Sequence, residues 1–150
     1  MANLNFNSDL LIGEEGESEV IKFLETRGCK YIDSNKDNKY DLKMLKNNVE
    51  VTYEIKTDVF CAPLFDTGNM FIEFESRGKL SGISVTKADW FVTYFLYLKE
   101  LWFIKSNKLR QLISENDFNV FTNAGDLNSQ TNGYLITRKD FKKHFHVYKI

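Results

Sequence analysis

The most regular pattern in this chain is an alternation of apolar and polar residues in the segment YDLKMLKNNVEVTYEIK, residues 40–56. Apolar side chains at every second position are typical of a β-strand with one buried face. Asn47 and Asn48 separate the two alternating runs, and asparagine tolerates the positive φ angles that a tight turn requires. The segment therefore predicts a β-hairpin in which Leu42 lies opposite Tyr53.

The same register places two carboxylates, Asp41 and Glu54, side by side on the polar face of the hairpin, with Lys56 two residues further along. Directly opposed side chains in antiparallel strands are about 4.5–5.5 Å apart at Cβ. Like charges at that distance repel, so the pair needs a cation, and a divalent metal with oxygen ligands is suitable. The alternative interpretation is an ordinary polar face exposed to solvent.

A second pattern has the period of a helix and covers residues 14–27. Four of its residues recur at i, i+3, i+4 and i+7: Glu17, Val20, Ile21 and Leu24. We therefore expect Glu17 to lie in line with an apolar stripe, which is unusual for a carboxylate without a partner. Ser8 or Asp9 could cap this helix, and Gly13 leaves its first residue open.

The rest of the chain alternates between strand-like and polar segments. Strands are predicted at 29–32, 70–75, 90–98, 101–104, 134–136 and 145–148, and helices at 106–113, capped by Ser106, and 138–144. The remaining segments, 57–69, 76–89 and 116–133, are predicted to be loops, with at most a short helix near 86–89. This order of elements indicates one mixed α/β domain.

Composition excludes several classes of protein. The 150 residues are 43% hydrophobic, which is ample for one core and short for two domains. No run of about 18 apolar residues occurs, so no membrane span is expected, and the N-terminus does not resemble a signal peptide. Cys29 and Cys61 fit no metal-finger spacing and require no disulfide, which favours a cytoplasmic location. The net charge of −1 argues against a polybasic nucleic-acid binder. The sequence contains no Gly-rich phosphate loop, so no nucleotide cofactor is expected.

Asp41 followed by Glu54-Ile55-Lys56 resembles the split motif of the PD-(D/E)XK nuclease superfamily, which has the restriction-endonuclease-like fold. Upstream, Gly13-x-x-Gly16-Glu17 resembles the leading helix of Holliday-junction-resolvase-like members, and residues 81–89 resemble a segment of phage-type small nucleases. One departure is that Tyr40, not proline, precedes the aspartate. The resemblance implies a single domain over residues 1–150, with a central mixed β-sheet flanked by helices.

The resemblance also implies an activity, namely metal-dependent endonucleolytic hydrolysis of DNA phosphodiester bonds. The substrate would be branched or double-stranded DNA in phage recombination, repair or DNA processing. Asp41, Glu54 and the backbone carbonyl of Ile55 would bind Mg²⁺ or Mn²⁺, and Glu17 would be a further acidic ligand. Lys56 would orient the attacking water or stabilise the charge that develops on the phosphate.

Other expectations are weaker. Four residues after the core strands could contact DNA phosphates: Arg77, Lys79, Thr86 and Lys87. Glu73 or Glu75 could extend the acidic cluster, and members of this family often pair, so a homodimer is compatible with the resemblance. Two alternatives remain open at this stage. One is a catalytically silent nuclease-like module that binds DNA or a protein, and the other is an unrelated α/β domain in which the motif is a coincidence.

Overall fold

A computed structural model describes residues 2–35, 39–124 and 130–150. Its α-helices are α1 (Ala2–Thr26), α2 (Ser106–Glu115) and α3 (Arg138–Phe141), with 3₁₀ turns at Gly82–Ser84 and Lys142–His144. The first strands are β1 (Lys30–Ser34), β2 (Leu42–Lys46), β3 (Val49–Asp58), β4 (Asn69–Ser76) and β5 (Lys79–Leu80). They are followed by β6 (Trp90–Phe95), β7 (Glu100–Lys105), β8 (Asn119–Ala124), β9 (Thr131–Thr137) and β10 (His146–Lys149).

The strands form two sheets. The larger is six-stranded and mixed, with the order β1-β2-β3-β6-β7-β10, and the smaller is four-stranded, with the order β5-β4-β9-β8. Strands β3 and β6 run parallel, and the other paired neighbours are antiparallel. The chain is thus an α/β protein with a mixed sheet, as predicted, but the second sheet was not expected. Among the described residues, no helix combines the length and apolar composition needed to span a bilayer.

The predicted hairpin is confirmed. Asn47 and Asn48 have φ angles of 51° and 63°, as a tight turn with two left-handed residues requires. Leu42 pairs with Tyr53, so the strands have the predicted register. One detail differs, because the centre of β3 is buried on both faces and Glu54 is only 8% exposed. The interpretation of a solvated polar face is therefore wrong at this residue.

Two apolar clusters pack on the six-stranded sheet, one on each face. On one face of the six-stranded sheet, α1 packs through Val20 and Leu24 against Tyr53 and Ile55 of β3. The other face packs against α2 and the four-stranded sheet, with residues of all these elements in one cluster: Phe91, Trp102, Leu109, Met70, Ile72 and Ile136. The sheet is therefore covered by a helix on one side and by a second sheet and a helix on the other. Strand β6, between β3 and β7, is buried on both faces, as predicted.

Several local predictions are wrong. Helix α1 begins at Ala2, twelve residues before the expected start, and continues through Gly13. A glycine inside a helix costs only about 1 kcal/mol, which tertiary contacts can offset. The predicted loop 116–133 contains β8 and the start of β9, with residues 125–129 outside the described part. The short helix expected near 86–89 is replaced by β5 and a 3₁₀ turn upstream. Ser106 does not cap α2, since the N-cap residue is Lys105 and no side chain caps the helix.

Gly16 allows α1 to lie close against β3. The residue is buried, and a Cβ atom at this position would overlap the hydroxyl oxygen of Thr57. That hydroxyl also donates a hydrogen bond to the carbonyl of Ile12, at 3.4 Å. The sequence motif therefore has a packing role, because a small residue before Glu17 lets the helix approach the strand that carries Glu54.

This contact predicts the sign of a double-mutant cycle. Gly16→Ala should destabilise the protein, because overpacking costs about 1–3 kcal/mol and the gain in helix propensity is only about 1 kcal/mol. In a Thr57→Ala background the overlap is absent, so the same substitution should be neutral or stabilising. The measurement is the free energy of unfolding in urea for the four proteins.

Gly13→Ala is the matched control for this cycle. A Cβ atom at Gly13 would meet nothing within 4 Å. This substitution should therefore stabilise both backgrounds equally, by up to about 1 kcal/mol. If Gly16→Ala stabilised the wild-type background as Gly13→Ala does, the close packing of α1 on β3 would be disproved.

Candidate functional site

A cavity of about 550 Å³ lies at the end of the β2–β3 hairpin. Its walls come from α1, from β3 and the residue after it, from β4, and from the segment that follows β5. The lining residues are Ile12, Gly13, Glu17, Asp41, Glu54, Ile55, Lys56, Thr57, Val59, Glu73, Leu80, Ser81, Gly82 and Val85. The four predicted catalytic residues thus line one cavity, although they come from distant parts of the sequence.

Asp41 is held in place by two hydrogen bonds to β3. Its N–H donates to the carbonyl of Tyr53 at 2.9 Å, and its carboxylate Oδ2 accepts the N–H of Ile55 at 2.8 Å. Strand β2 begins only at Leu42, so the carboxylate of Asp41 takes the place of a strand partner for Ile55. This arrangement fixes the carboxylate of Asp41 beside Glu54.

Glu54 is the most perturbed acidic group of the cavity. Burial raises the pKa of Glu54 to about 7; the positive charge of Lys56 opposes the rise, and the carboxyl of Asp41 adds to it. The hydroxyl of Thr86 also favours the charged form. The Oε2 atom of Glu54 is buried and has no hydrogen-bond partner among the described residues. Burying an oxygen without a hydrogen-bond donor costs free energy, and a ligand that contacts this atom would offset that cost.

The carbonyl of Ile55 is the third oxygen in this region. The N–H and C=O groups of one residue in a strand point to the same side, and the N–H of Ile55 points to Asp41. The β2–β3 ladder ends at Leu42, so this carbonyl lies beyond the paired region, where Ile55 lines the cavity. The donor set of two carboxylates and one carbonyl stays a prediction.

Glu17 lies on the wall formed by α1 and is half-buried. Within the described ranges, no three His, Cys, Asp or Glu side chains are grouped so as to hold a metal ion. Glu17 therefore does not join Asp41 and Glu54 in a three-residue cluster. Lys56 also lines the cavity, and its charge acts on Glu54.

Two residues near Glu54 differ in position from what the sequence analysis expected, namely Glu73 and Thr86. Glu73, on β4, lines the cavity, whereas the carboxylate of Glu75 accepts a hydrogen bond from Asn132 at 2.9 Å. The alternation of β4 indicated that the two glutamates share a strand face but not which cavity that face borders. Thr86, predicted to contact DNA, is only 3% exposed and borders Glu54. Its hydroxyl donates to the carbonyl of Lys39 at 3.3 Å, so Thr86 is a buried neighbour of Glu54 and not an exposed DNA contact.

The other predicted DNA contacts lie on the surface. Arg77 and Lys79 are exposed at the β4–β5 turn, next to Leu80 of the cavity wall. Lys87 is exposed too, and its backbone N–H donates to the carbonyl of Lys39 at 2.8 Å. Neither Arg77 nor Lys79 lines the cavity itself.

Comparison of this chain with protein-family models, with curated proteins and with solved structures finds no match. The resemblance to the PD-(D/E)XK nucleases therefore depends on the residues and on their geometry alone.

The burial of Glu54 predicts how the protein without divalent ions responds to pH. The pKa of Glu54 is about 7 in the folded protein against 4.5 as the unperturbed value, so the folded state binds more protons between these two pH values. The free energy of unfolding should therefore fall as pH rises from about 4.5 to 7. Glu54→Gln removes this loss and should stabilise the protein by up to about 3 kcal/mol at about pH 8, with little effect below about pH 4.5.

The measurement is urea unfolding in the presence of a chelator across this pH range. Glu50→Gln is the control, because Glu50 is exposed on the same strand and pairs with Lys43 at 3.5 Å. This control should change stability by less than about 0.5 kcal/mol at every pH. Destabilisation by Glu54→Gln at about pH 8 would contradict the interpretation that burial penalises the charged form of Glu54.

Proposed function

We propose that this protein is a metal-dependent DNA endonuclease with a restriction-endonuclease-like fold. The observation that carries the proposal is the buried, unpartnered Oε2 atom of Glu54 next to the carboxylate of Asp41, at the edge of an open cavity. Proteins seldom bury a carboxylate oxygen without a donor unless a ligand uses it. The sequence motif supplies the reaction class, since Glu54 and Lys56 stand in its Glu-x-Lys positions.

The oxygen atoms at this position suit a hard divalent cation. Mg²⁺ and Mn²⁺ prefer carboxylate and carbonyl oxygens, and Mg²⁺ commonly uses only one or two protein carboxylates. Asp41, Glu54 and the Ile55 carbonyl would hold such an ion, which needs no third acidic side chain. When bound, the ion would supply Lewis-acid stabilisation of charge on the phosphate.

The charge of the cavity favours catalysis over simple DNA binding. Four carboxyl side chains and one ammonium group line it, those of Glu17, Asp41, Glu54, Glu73 and Lys56. A phosphodiester would be repelled by this excess of acidic groups unless a cation neutralised them. A module that only binds DNA gains nothing from such a cavity, whereas a metal-dependent hydrolase requires it.

The remaining side chains have roles that follow from their charge and position. Lys56 is the cation of the cavity, and its ammonium group would pair with a non-bridging phosphate oxygen as negative charge develops there. Glu17, a half-buried carboxylate on α1, would accept a hydrogen bond from the attacking water and orient it. Arg77 and Lys79, exposed at the β4–β5 turn, would contact flanking phosphates.

The proposal predicts cleavage of DNA with a defined dependence on three side chains. Linear, nicked, single-stranded and four-way-junction DNA should be incubated with Mg²⁺ or Mn²⁺, and products should disappear when a chelator is added. Asp41→Asn, Glu54→Gln and Lys56→Met should each lower the cleavage rate at least about 100-fold, because the two carboxylates would hold the metal ion and the ammonium group of Lys56 would stabilise charge on the phosphate.

Glu25→Gln is the matched control for cleavage, because Glu25 is exposed on α1 and lines neither this cavity nor the one at α2, and it should cleave at the wild-type rate. Circular dichroism should show that all variants are folded. A mobility shift without products in any metal would support the silent binding module instead. Unchanged cleavage rates in all three site variants would show that these residues are not the catalytic site.

Metal binding can be tested without any DNA. Mn²⁺ should raise the thermal unfolding midpoint of the wild-type protein, because a ligand at about 100 times its Kd stabilises the folded state by about 2.7 kcal/mol. Glu54→Gln and Asp41→Asn should lose most of this shift, whereas Glu50→Gln should keep it. An equal shift in all four proteins would place the metal elsewhere.

A further inference from the structure

A second cavity, of about 620 Å³, lies at the N-terminus of α2. Its wall includes three basic residues, Lys87, Lys105 and Arg110, together with Ser106 and Asn107 from the first turn of the helix. Thr86 also lines it. Because the hydroxyl of Thr86 acts on Glu54, the two cavities are adjacent, with Thr86 between them.

The first turn of α2 presents backbone N–H groups that have no acceptor within the helix. The helix has ten residues and no side-chain cap, and the N–H of Ser106 donates to the carbonyl of Asp89 at 3.0 Å. The N–H groups of Asn107 and Lys108 have no carbonyl within the helix to bond, since their acceptors would precede its start. They point out of the positive end of the helix dipole, where anions bind well.

Ser106 provides an independent observation. It is only 1% exposed, and its Oγ atom has no hydrogen-bond partner among the described residues. A buried hydroxyl without a partner costs about 1–3 kcal/mol. This cost is explained if a ligand that enters the cavity accepts a hydrogen bond from the hydroxyl.

The charges of the cavity identify the ligand as an anion. Two acidic residues, Glu50 and Asp89, also line it, but both are engaged. Glu50 pairs with Lys43 at 3.5 Å, and Asp89 accepts the N–H and the hydroxyl of Thr52 at 2.9 and 3.1 Å.

The basic side chains are not all fixed. The guanidinium of Arg110 is held by the carbonyls of Ile83 and Thr86, at 3.3 and 2.5 Å. Lys87 and Lys105 are exposed, and the ammonium of Lys105 lies 5.8 Å from the centre of the Trp90 ring. These two ammonium groups can therefore turn towards a bound anion.

We propose that the cavity at the N-terminus of α2 binds a backbone phosphate of the DNA whose scissile phosphate enters the neighbouring candidate site. The donors are Ser106 Oγ, the N–H groups of Asn107 and Lys108, and the ammonium groups of Lys87 and Lys105. The choice of DNA as the source of the phosphate rests on the proposed function, whereas the preference for a phosphate group rests on this cavity alone.

The first experiment uses inorganic phosphate, so it is independent of DNA cleavage. Phosphate should shift the amide NMR signals of Asn107 and Lys108 in a saturable manner. Ser106→Ala and Lys105→Gln should each weaken this binding about tenfold or more, as expected for hydrogen bonds to a charged group. Ser106→Ala should leave the protein at least as stable as the wild type, because it removes a hydroxyl without a partner. Lys139→Gln, an exposed lysine on α3, is the control and should bind phosphate normally.

The second experiment measures DNA binding by the Asp41→Asn variant at several salt concentrations. Adding Lys87→Gln and Lys105→Gln should reduce the slope of log K against log salt by about 1, because the cavity would neutralise one phosphate and each such contact contributes about 0.9. Adding Lys139→Gln should leave the slope unchanged.

The outcomes separate this inference from the proposed function. Absence of phosphate shifts at α2, or shifts that survive Ser106→Ala, would overturn the anion site. DNA binding with an unchanged salt slope would overturn the assignment to backbone phosphate. Phosphate binding at α2 without any DNA binding would leave free phosphate as the ligand of the cavity and would count against the proposed function itself.

Discussion

The register of the β2–β3 hairpin is the constraint on which the candidate site depends. The two left-handed residues of its turn, Asn47 and Asn48, set the pairing of Leu42 with Tyr53. Since β2 begins at this pair, the next N–H of β3 on that side, that of Ile55, is bound by the carboxylate of Asp41. A slip of one residue would reverse the faces of β3 and turn Glu54 towards α1. The conformation of the Asn47-Asn48 turn thus determines that Asp41 and Glu54 lie side by side.

The burial of Glu54 determines the chemical properties of the Asp41–Glu54 pair. A carboxylate pair on an exposed hairpin would be screened by water, but α1 packs on one face of β3 and Glu54 on the other face is only 8% exposed. Glu54 consequently loses its hydration without gaining a donor for Oε2. This burial lowers the stability of the folded protein near neutral pH, and the proposed metal ion would offset that loss. The cavity on the other side of Thr86 differs in charge, because the start of α2 presents backbone N–H groups and basic side chains instead of carboxylates. Adjacent cavities of opposite character suit a metal ion in one and a phosphate in the other.

The elements predicted correctly from sequence are those whose pattern is local. The hairpin, strands β6 and β7 and the second half of α1 combine a clear period with a buried face. Strands β8 and β9 were missed in part because β8 lies at a sheet edge, with Val120 and Phe121 about half exposed, so no alternation marks it. The start of α1 was missed because Gly13 has a low helix propensity that the fold overrides. Asp41, Glu54 and Lys56 were found because they belong to one hairpin. The position of Glu73 in the cavity could not be predicted from sequence, because it depends on how one sheet packs on the other.

Crystals soaked with Mn²⁺ test the central claim most directly, through anomalous scattering that locates the ion without reference to activity. The predicted result is one strong anomalous peak within coordination distance, about 2.0–2.3 Å, of carboxylate oxygens of both Asp41 and Glu54. A peak that contacts neither carboxylate, or a Glu54 Oε2 atom that binds only water at saturating Mn²⁺, would contradict the claim that these two residues form a metal centre.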